Sequence, residues 1–199
     1  MAGRPRSFDR DAALAAAVQQ FWLEGYEGTS VATLTSVMGV SPPSLYAAFG
    51  DKQALYVKAY ASYRAEVRET FRPIFLAEAP LREKLRRILV AALDLYSSGE
   101  AGPRGCFTVL TASSDVVADP EIRALVVEAL TSIDEGFARL FAAAVEGGEL
   151  PGDADPTRLA HMAGATVHSL SVRARARVAR RDLERLIEDA IVTILGPSV

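Results

Sequence analysis

The strongest constraint on the fold is an apolar repeat of three or four residues that runs along nearly the whole chain. In its clearest stretch an apolar side chain stands at every fourth position: Leu55, Ala59, Tyr63, Val67 and Phe71. This spacing gathers the side chains on one face of an α-helix, and no segment shows the alternation expected of a strand. The sequence therefore predicts an all-α protein.

Capping signals divide the repeat into about nine helices. Predicted starts are marked by Asp9, Ser30, Ser41, Asp51, Pro120 and Asp155, and predicted ends by Gly25, Gly39 and Gly147. We expect the fourth helix to end near Pro73 and the sixth to run from Cys106 to about Val116. Three short helices then form an N-terminal unit, residues 1–50, and the others form a larger domain, residues 51–199.

Composition excludes several classes of protein. Half of the 199 residues are hydrophobic, which is enough to bury a core and argues against disorder. One cysteine rules out an internal disulfide, and no apolar run approaches the roughly 20 residues that span a bilayer. The leader MAGRPRS lacks the apolar segment of a secretion signal, so we expect a cytoplasmic protein.

Two short predicted helices joined by Gly39-Val40-Ser41 are typical of a helix-turn-helix, whose second helix lies in the major groove of DNA. On that second helix Leu45 and Phe49 share the inward face. The outward side chains are those of Pro43, Ser44, Tyr46 and Ala47. Periodicity alone leaves two interpretations open, a DNA-reading helix and a three-helix bundle that merely exposes a tyrosine.

The run from Phe21 to Lys52 closely resembles the N-terminal domain of the tetracycline-repressor (TetR) family of transcriptional regulators. The matching elements are Phe21, Gly25-Tyr26, Thr29-Ser30-Val31, Gly39-Val40-Ser41, Leu45-Tyr46, Phe49 and Lys52. The resemblance implies an all-α homodimer whose C-terminal domain binds a small-molecule effector. It also implies that the partner of the helix-turn-helix is double-stranded DNA.

The resemblance assigns roles to individual positions. Ser44 and Tyr46 are implied to contact the DNA backbone, and Lys52 to meet a phosphate at the start of the fourth helix. The residues implied to face bases are Pro42, Pro43 and Ala47. Ser41 caps the same helix and belongs to the predicted surface. Ser30 is a further phosphate candidate, because helix N-termini favour anions.

The predicted reading helix departs from the family pattern. Pro43 stands where many relatives have glycine, and the helix holds no Arg, Lys, Asn or Gln for a bidentate base contact. The net charge of −3 gives no general sign of a DNA partner either. We expect Arg4 and Arg6 of the leader to enter the adjacent minor groove, where A·T-rich segments attract arginine. A tail that adds only nonspecific attraction is the alternative.

The last two helices are implied by resemblance to form the dimer surface. The small residues Ala160, Ala163 and Gly164 would allow close helix approach there, and the apolar stripe from Leu183 to Ile194 is wider than one face of a terminal helix usually needs. A two-fold dimer predicts a roughly palindromic operator. The five arginines between Val172 and Arg181 are interpreted as a solvated helix end rather than a second binding site.

Cys106 follows Arg104 and Gly105 at a predicted helix start, a setting that makes a thiol reactive. Some relatives with a similar Arg-Gly-Cys segment respond to electrophiles or oxidants, whereas a buried cysteine often serves packing alone. The weak candidates for lining an effector pocket are Tyr96, Cys106, Phe107, Phe137 and His168. Core packing explains each of them equally well.

No enzyme, metal or cofactor signature appears. His161 and His168 lie seven residues apart without a carboxylate or thiol at ligand spacing, so no metal site is expected. There is no nucleophile and base at motif spacing and no phosphate-binding glycine loop. The sequence thus favours a dimeric, ligand-responsive regulator, and a repressor rather than an activator. A redox or electrophile sensor acting through Cys106 is the alternative, and a DNA-architectural protein is disfavoured.

Overall fold

The computed structural model describes residues 8–99 and 102–197, and within these ranges the chain folds into nine α-helices without strands. The helices are α1 Arg10–Gly28, α2 Val31–Met38, α3 Pro42–Phe49, α4 Lys52–Leu76, α5 Leu81–Ser97, α6 Phe107–Ala112, α7 Pro120–Glu146, α8 Pro156–Arg175 and α9 Arg180–Leu195, with a 3₁₀ turn at Asp115–Ala118. The all-α prediction is confirmed. Arg4 and Arg6 lie outside the described residues.

The predicted N-caps of the first four helices act as caps. Asp9 accepts from the backbone N–H groups of Asp11 and Ala12 at 2.9 and 3.0 Å. Ser30, Ser41 and Asp51 each accept one such bond from the first turn that follows. These bonds satisfy N–H groups that have no partner inside a helix, and so they determine where each short helix begins.

Three helix ends differ from the predicted ones. The first helix continues to Gly28 through a kink at Gly25, whose φ of 74° suits a residue without a Cβ. The fourth continues three residues past Pro73 and ends at Leu76. The sixth ends at Ala112, because the Ser113 hydroxyl donates to the carbonyl oxygens of the preceding turn and a 3₁₀ turn follows.

Two buried clusters form the core, and α4 contributes to both ends. The front cluster joins α1, α2, α3 and the first half of α4 to α6 and the start of α7. The rear cluster joins α5, the second half of α7, α8 and α9, with Phe71 and Phe75 of α4 packed against it. The functional division at residue 50 stays a prediction, and the apolar packing runs across it.

The small residues and the apolar stripe assigned to a dimer surface lie instead inside the chain. Ala160, Ala163 and Gly164 are buried, and a Cβ on Gly164 would stand 2.6 Å from the Asp134 carboxylate of α7. The stripe of α9 is also buried, in the rear cluster. The sequence pattern was ambiguous because a close helix contact looks alike within one chain and between two. The exposed large apolar residues of α8 and α9 are Met162, Val172 and Val192.

The five arginines between Val172 and Arg181 include two that join the ends of α8 and α9 to other parts of the chain. Arg175 donates to the backbone oxygens of Arg104 and Leu23 at 2.8 and 3.3 Å. Arg180 pairs with Asp94 at 2.8 Å and with Glu184 at 2.7 Å. These contacts agree with the interpretation of the run as a helix end. No helix among the described residues is long and apolar enough to cross a membrane.

Replacing Phe107 by alanine is expected to destabilise the fold by about 3–5 kcal/mol, because the ring is fully buried in the front cluster and its removal leaves a cavity. Val127→Ala on the exposed face of α7 is the control, with an expected change within about 0.5 kcal/mol. Urea unfolding at fixed protein concentration measures both. A Phe107→Ala effect as small as that of the control would contradict the packing described here.

Candidate nucleic-acid interface and effector pocket

Helix α3 is held firmly at its back and its C-terminal end. Leu45 and Phe49 are 0% and 2% exposed in the front cluster. Two cations bind the last carbonyl oxygens of the helix: Arg10 donates to Ala48 at 2.6 Å and Lys58 donates to Phe49 at 2.7 Å. Positive charge is favourable at this end of a helix. The roles of Arg10 and Lys58 were not predicted from the sequence, because neither residue lies in the helix-turn-helix stretch.

The outward side of α3 carries the predicted DNA contacts and no charge. Ser41, Pro42, Pro43 and Ala47 are exposed, and Ser44 is half-buried. The Ser44 hydroxyl lies 2.9 Å from that of Ser41, so the two hydroxyls already share a hydrogen bond. Tyr46 is 50% exposed and its hydroxyl has no hydrogen bond to the described part of the chain. An exposed, unengaged phenol on a rigid helix is available to a ligand outside the protein.

The two phosphate candidates stand at helix starts. Ser30 caps α2 and its hydroxyl lies 2.8 Å from that of Thr33. Lys52 is the first residue of α4, and its Nζ lies 4.1 Å from the centre of the Tyr26 ring. Burial lowers the pKa of the Lys52 ammonium, and the charge of Glu27 opposes that effect. The Lys52 ammonium therefore packs against the face of the Tyr26 ring in a cation–π contact.

Three tyrosines on one side of α4 form hydrogen bonds to the segment that contains α6, and we call Tyr56, Tyr60 and Tyr63 the tyrosine ladder. Tyr56 Oη lies 2.9 Å from Thr111 Oγ1. Tyr60 donates to Thr108 at 3.0 Å, and Tyr63 Oη lies 3.5 Å from Cys106 Sγ. Burial raises the pKa of Tyr60 to about 12 and raises that of Tyr63 well above its ordinary value, so both phenols stay neutral.

The Phe107 ring lies among the ladder, with its centre 5.4–5.6 Å from those of the three tyrosine rings. The front end of the ladder reaches the N-terminal unit. Tyr56 makes edge contacts with Phe21 at 4.9 Å and with Tyr26 at 5.2 Å between ring centres. The Tyr26 ring in turn supports Lys52. A continuous set of aromatic contacts thus links the start of α4 to Cys106.

A cavity of about 530 Å³ opens at the other end of the ladder, between α4, α5 and α7. Its deep end includes the buried side chains of Tyr63, Tyr96 and Cys106, and its mouth includes the exposed Arg68 and Arg139. Between them the wall is mostly apolar. Its size lies within the range of about 300–1,000 Å³ that small-molecule sites occupy.

The predicted pocket residues divide into two groups. Tyr96, Cys106 and Phe137 line the cavity. Phe107 does not, because its ring is enclosed by the tyrosine ladder. His168 does not either: it is half-buried on α8, where its Nε2 has no hydrogen-bond partner among the described residues and burial lowers its pKa. Helical periodicity could not separate these two groups, since it identifies a buried face without saying which helix meets it.

Cys106 is held in position by hydrogen bonds of its backbone and of the residue before it. Its backbone N–H donates to Ser171 Oγ at 2.7 Å, and the Gly105 oxygen accepts from the Trp22 indole at 2.8 Å. The Arg104 guanidinium stacks over the Trp22 ring at 3.9 Å and donates to Gln19. Arg104 also donates to the backbone oxygen and the hydroxyl of Ser98, at 3.2 and 3.3 Å. The reactivity of the Cys106 thiol stays a prediction.

The comparisons with known proteins identify the family. Residues 13–59 match the family described as "Bacterial regulatory proteins, tetR family", and residues 82–190 match "Tetracyclin repressor-like, C-terminal domain". The chain belongs to the TetR family. It is accordingly a DNA-binding transcriptional regulator and not an enzyme. Across 8–99 and 102–197, no group of three or more His, Cys, Asp or Glu side chains is arranged to hold a metal ion.

Individual relatives agree over most of the chain. It is 30% identical over 201 residues to the HTH-type transcriptional repressor ComR of Escherichia coli (strain K12), covering 96% of this chain and 90% of that protein. The repressor BdcR of the same strain is 34% identical over 63% of this chain and 62% of its own length. A cysteine mutant of the TetR-family regulator CifR, solved with 26-bp operator DNA, is 34% identical with a TM-score of 0.87, covering 95% of this chain and 98% of that one.

Removing only the Tyr46 hydroxyl is expected to weaken DNA binding about fivefold without changing the melting temperature, because one phosphate hydrogen bond contributes about 1 kcal/mol. Fluorescence anisotropy with Tyr46→Phe and a duplex selected from random DNA measures the affinity. Leu45→Ala is the contrasting variant, since loss of this fully buried side chain should lower both stability and binding. Unchanged affinity of Tyr46→Phe would exclude a hydroxyl contact to DNA.

Proposed function

We propose that the protein is a ligand-responsive repressor that binds a roughly palindromic operator as a homodimer and is released by a small-molecule effector. The observation that carries this proposal is that one helix serves two sites. The N-terminal half of α4 packs against the helix-turn-helix, and its C-terminal half lines the cavity. Repression is supported by the names of the relatives ComR and BdcR, both transcriptional repressors.

The proposed reader is α3, with its outward face in the major groove. Tyr46 and Ser44 would contact the DNA backbone, and Ser30 and Lys52 would meet phosphates from the starts of their helices. The residues proposed to face bases or cap the reading helix are Ser41, Pro42, Pro43 and Ala47. Because this face is apolar and uncharged, thymine methyl groups suit it better than guanine edges. Arg4 and Arg6 would add minor-groove contacts beside it.

The proposed coupling is a population shift between two positions of α4. An effector that contacts Cys106 would also contact Tyr63, at one end of the tyrosine ladder. At the other end, Tyr56 packs against Tyr26, whose ring supports Lys52. If the ligand binds one position of α4 more tightly, it shifts the separation of the two reading helices in the dimer. Met162, Val172 and Val192, exposed on α8 and α9, are our candidates for the dimer surface.

Selection of bound fragments from random DNA, followed by a screen for compounds that release the protein, tests this proposal. The expected selected sites are roughly palindromic, with half-sites about one helical turn or more apart, and A·T-rich flanks where Arg4 and Arg6 enter the minor groove. Light scattering should give a dimer. A monomer on single half-sites, or binding that no compound affects, would contradict the proposal, and flanks without sequence preference would remove the arginine contribution.

A sensor of electrophiles or oxidants is the second candidate, and the position of Cys106 favours it. The Cys106 thiol lines the cavity and lies at the end of the tyrosine ladder, although the residue is only 5% exposed. An electrophile small enough to enter the cavity would reach this sulfur and disturb the same coupling. The chain contains no other cysteine that competes for reaction.

Cys106→Ser distinguishes the two candidates. Under the sensor hypothesis, mild oxidant or electrophile releases the wild-type protein from its selected duplex and modifies Cys106 by mass spectrometry, and the serine variant stays bound. Both proteins should still respond to a noncovalent effector found in the screen, which serves as the control for an intact cavity. Equal release of wild type and Cys106→Ser by the reagent rules the sensor out.

A further inference from the structure

The charged side chains that line the cavity are all of one sign among the described residues. Five of these residues are cationic and none is an aspartate or glutamate: the five are Arg64, Arg68, Arg72, Lys84 and Arg139. The chain as a whole has a net charge of −3, with 25 acidic residues against 22 basic ones. A lining of five cations without an acid is therefore a local feature and does not follow from the composition.

Helix α4 presents this charge beside an apolar surface. Two parallel rows with a spacing of four residues face the cavity. The apolar row consists of Tyr63, Val67, Phe71 and Phe75, and the basic row consists of Arg64, Arg68 and Arg72. Residues four apart lie one above the other on a helix, so the rows run side by side along the wall. A molecule that lies along α4 touches an apolar and a cationic surface at once.

Three of the five cations have no carboxylate partner within the described parts of the chain. Arg72 pairs with Glu69 at 3.2 Å and Arg139 with Glu135 at 3.5 Å. Arg64 instead donates to the Ser132 hydroxyl at 2.9 Å, while Arg68 and Lys84 form no ion pair in those parts of the chain. Lys84 is half-buried at the start of α5. Cations that converge without counter-charge create a positive potential that favours an anion.

We propose that the effector is an amphipathic organic carboxylate. Its apolar body would lie along Val67, Phe71 and Phe137, and its carboxylate would be bound at the mouth by Arg68 and Lys84. Guanidinium and carboxylate form short charge-assisted hydrogen bonds, which makes this pairing selective over a neutral head group. A cationic ligand of the same shape would be repelled. This inference names the ligand class of the cavity and so rests on the proposed function.

Three probes of equal chain length test the inference: decanoate and decyltrimethylammonium, each below its critical micelle concentration, and 1-decanol below its solubility limit. Calorimetry on the full chain without DNA measures binding, so the result does not depend on repression. We expect decanoate to bind about tenfold more tightly than 1-decanol and the ammonium probe to bind most weakly, because two favourable ion pairs at a partly exposed site together contribute about one tenfold step.

The double variant Arg68→Met and Lys84→Met examines the assigned cations. It should lose about tenfold in decanoate affinity and stay within about twofold for 1-decanol, since methionine keeps the apolar stem and removes the charge. Arg158→Met is the matched control, because Arg158 is exposed on α8 and does not line the cavity. It should leave decanoate binding unchanged.

The outcomes separate the inference from the proposed function. Equal affinity for decanoate and 1-decanol, no decanoate binding, or equal losses in the double variant and Arg158→Met would each overturn the carboxylate site. Decanoate that binds with the expected preference but leaves the protein on its selected duplex would support the site and contradict release by an effector. Decanoate that binds and releases the protein would support both.

Discussion

The structure depends on the packing of α4 against α1 and α6 through the tyrosine ladder and the Phe107 ring. Each of the three tyrosines brings an aromatic ring into the front core and a hydroxyl that must find a partner once it is buried. Thr111, Thr108 and Cys106 supply those partners from α6 and its cap. One end of this set of contacts, formed by Tyr63, Cys106 and Thr108, also lines the cavity.

This arrangement explains how an uncharged helix can belong to a DNA-binding surface. The cations that contact α3 come from α1 and α4. Arg10 and Lys58 bind its last carbonyl oxygens and so fix the orientation of the helix. Its outward face is left to small and aromatic side chains. Shape and hydroxyl contacts suit such a face, and affinity then depends on how rigidly the helix is held, because a mobile helix would lose conformational entropy on binding.

The cavity shows the opposite distribution of charge. Arginines follow the apolar row of α4 one residue behind, so that one helix carries an apolar and a basic stripe into the same space. The helix connects this space to the reading unit without a break between Lys52 and Leu76. In the proposed function, a ligand that prefers one position of α4 would change the position of the reading helix without a separate signalling element.

The sequence by itself determined the helices and the family. Spacing of apolar residues and the caps Asp9, Ser30, Ser41 and Asp51 depend on local chemistry, which is why the helix starts and the inward face of α3 were predictable. Only the tertiary structure decided which buried faces meet. It brought Cys106 and Phe137 to a cavity, enclosed Phe107, and used Gly164 for the contact between α7 and α8. Periodicity cannot distinguish these positions, because a residue that faces a partner helix, a cavity or a second chain follows the same repeat of three and four residues.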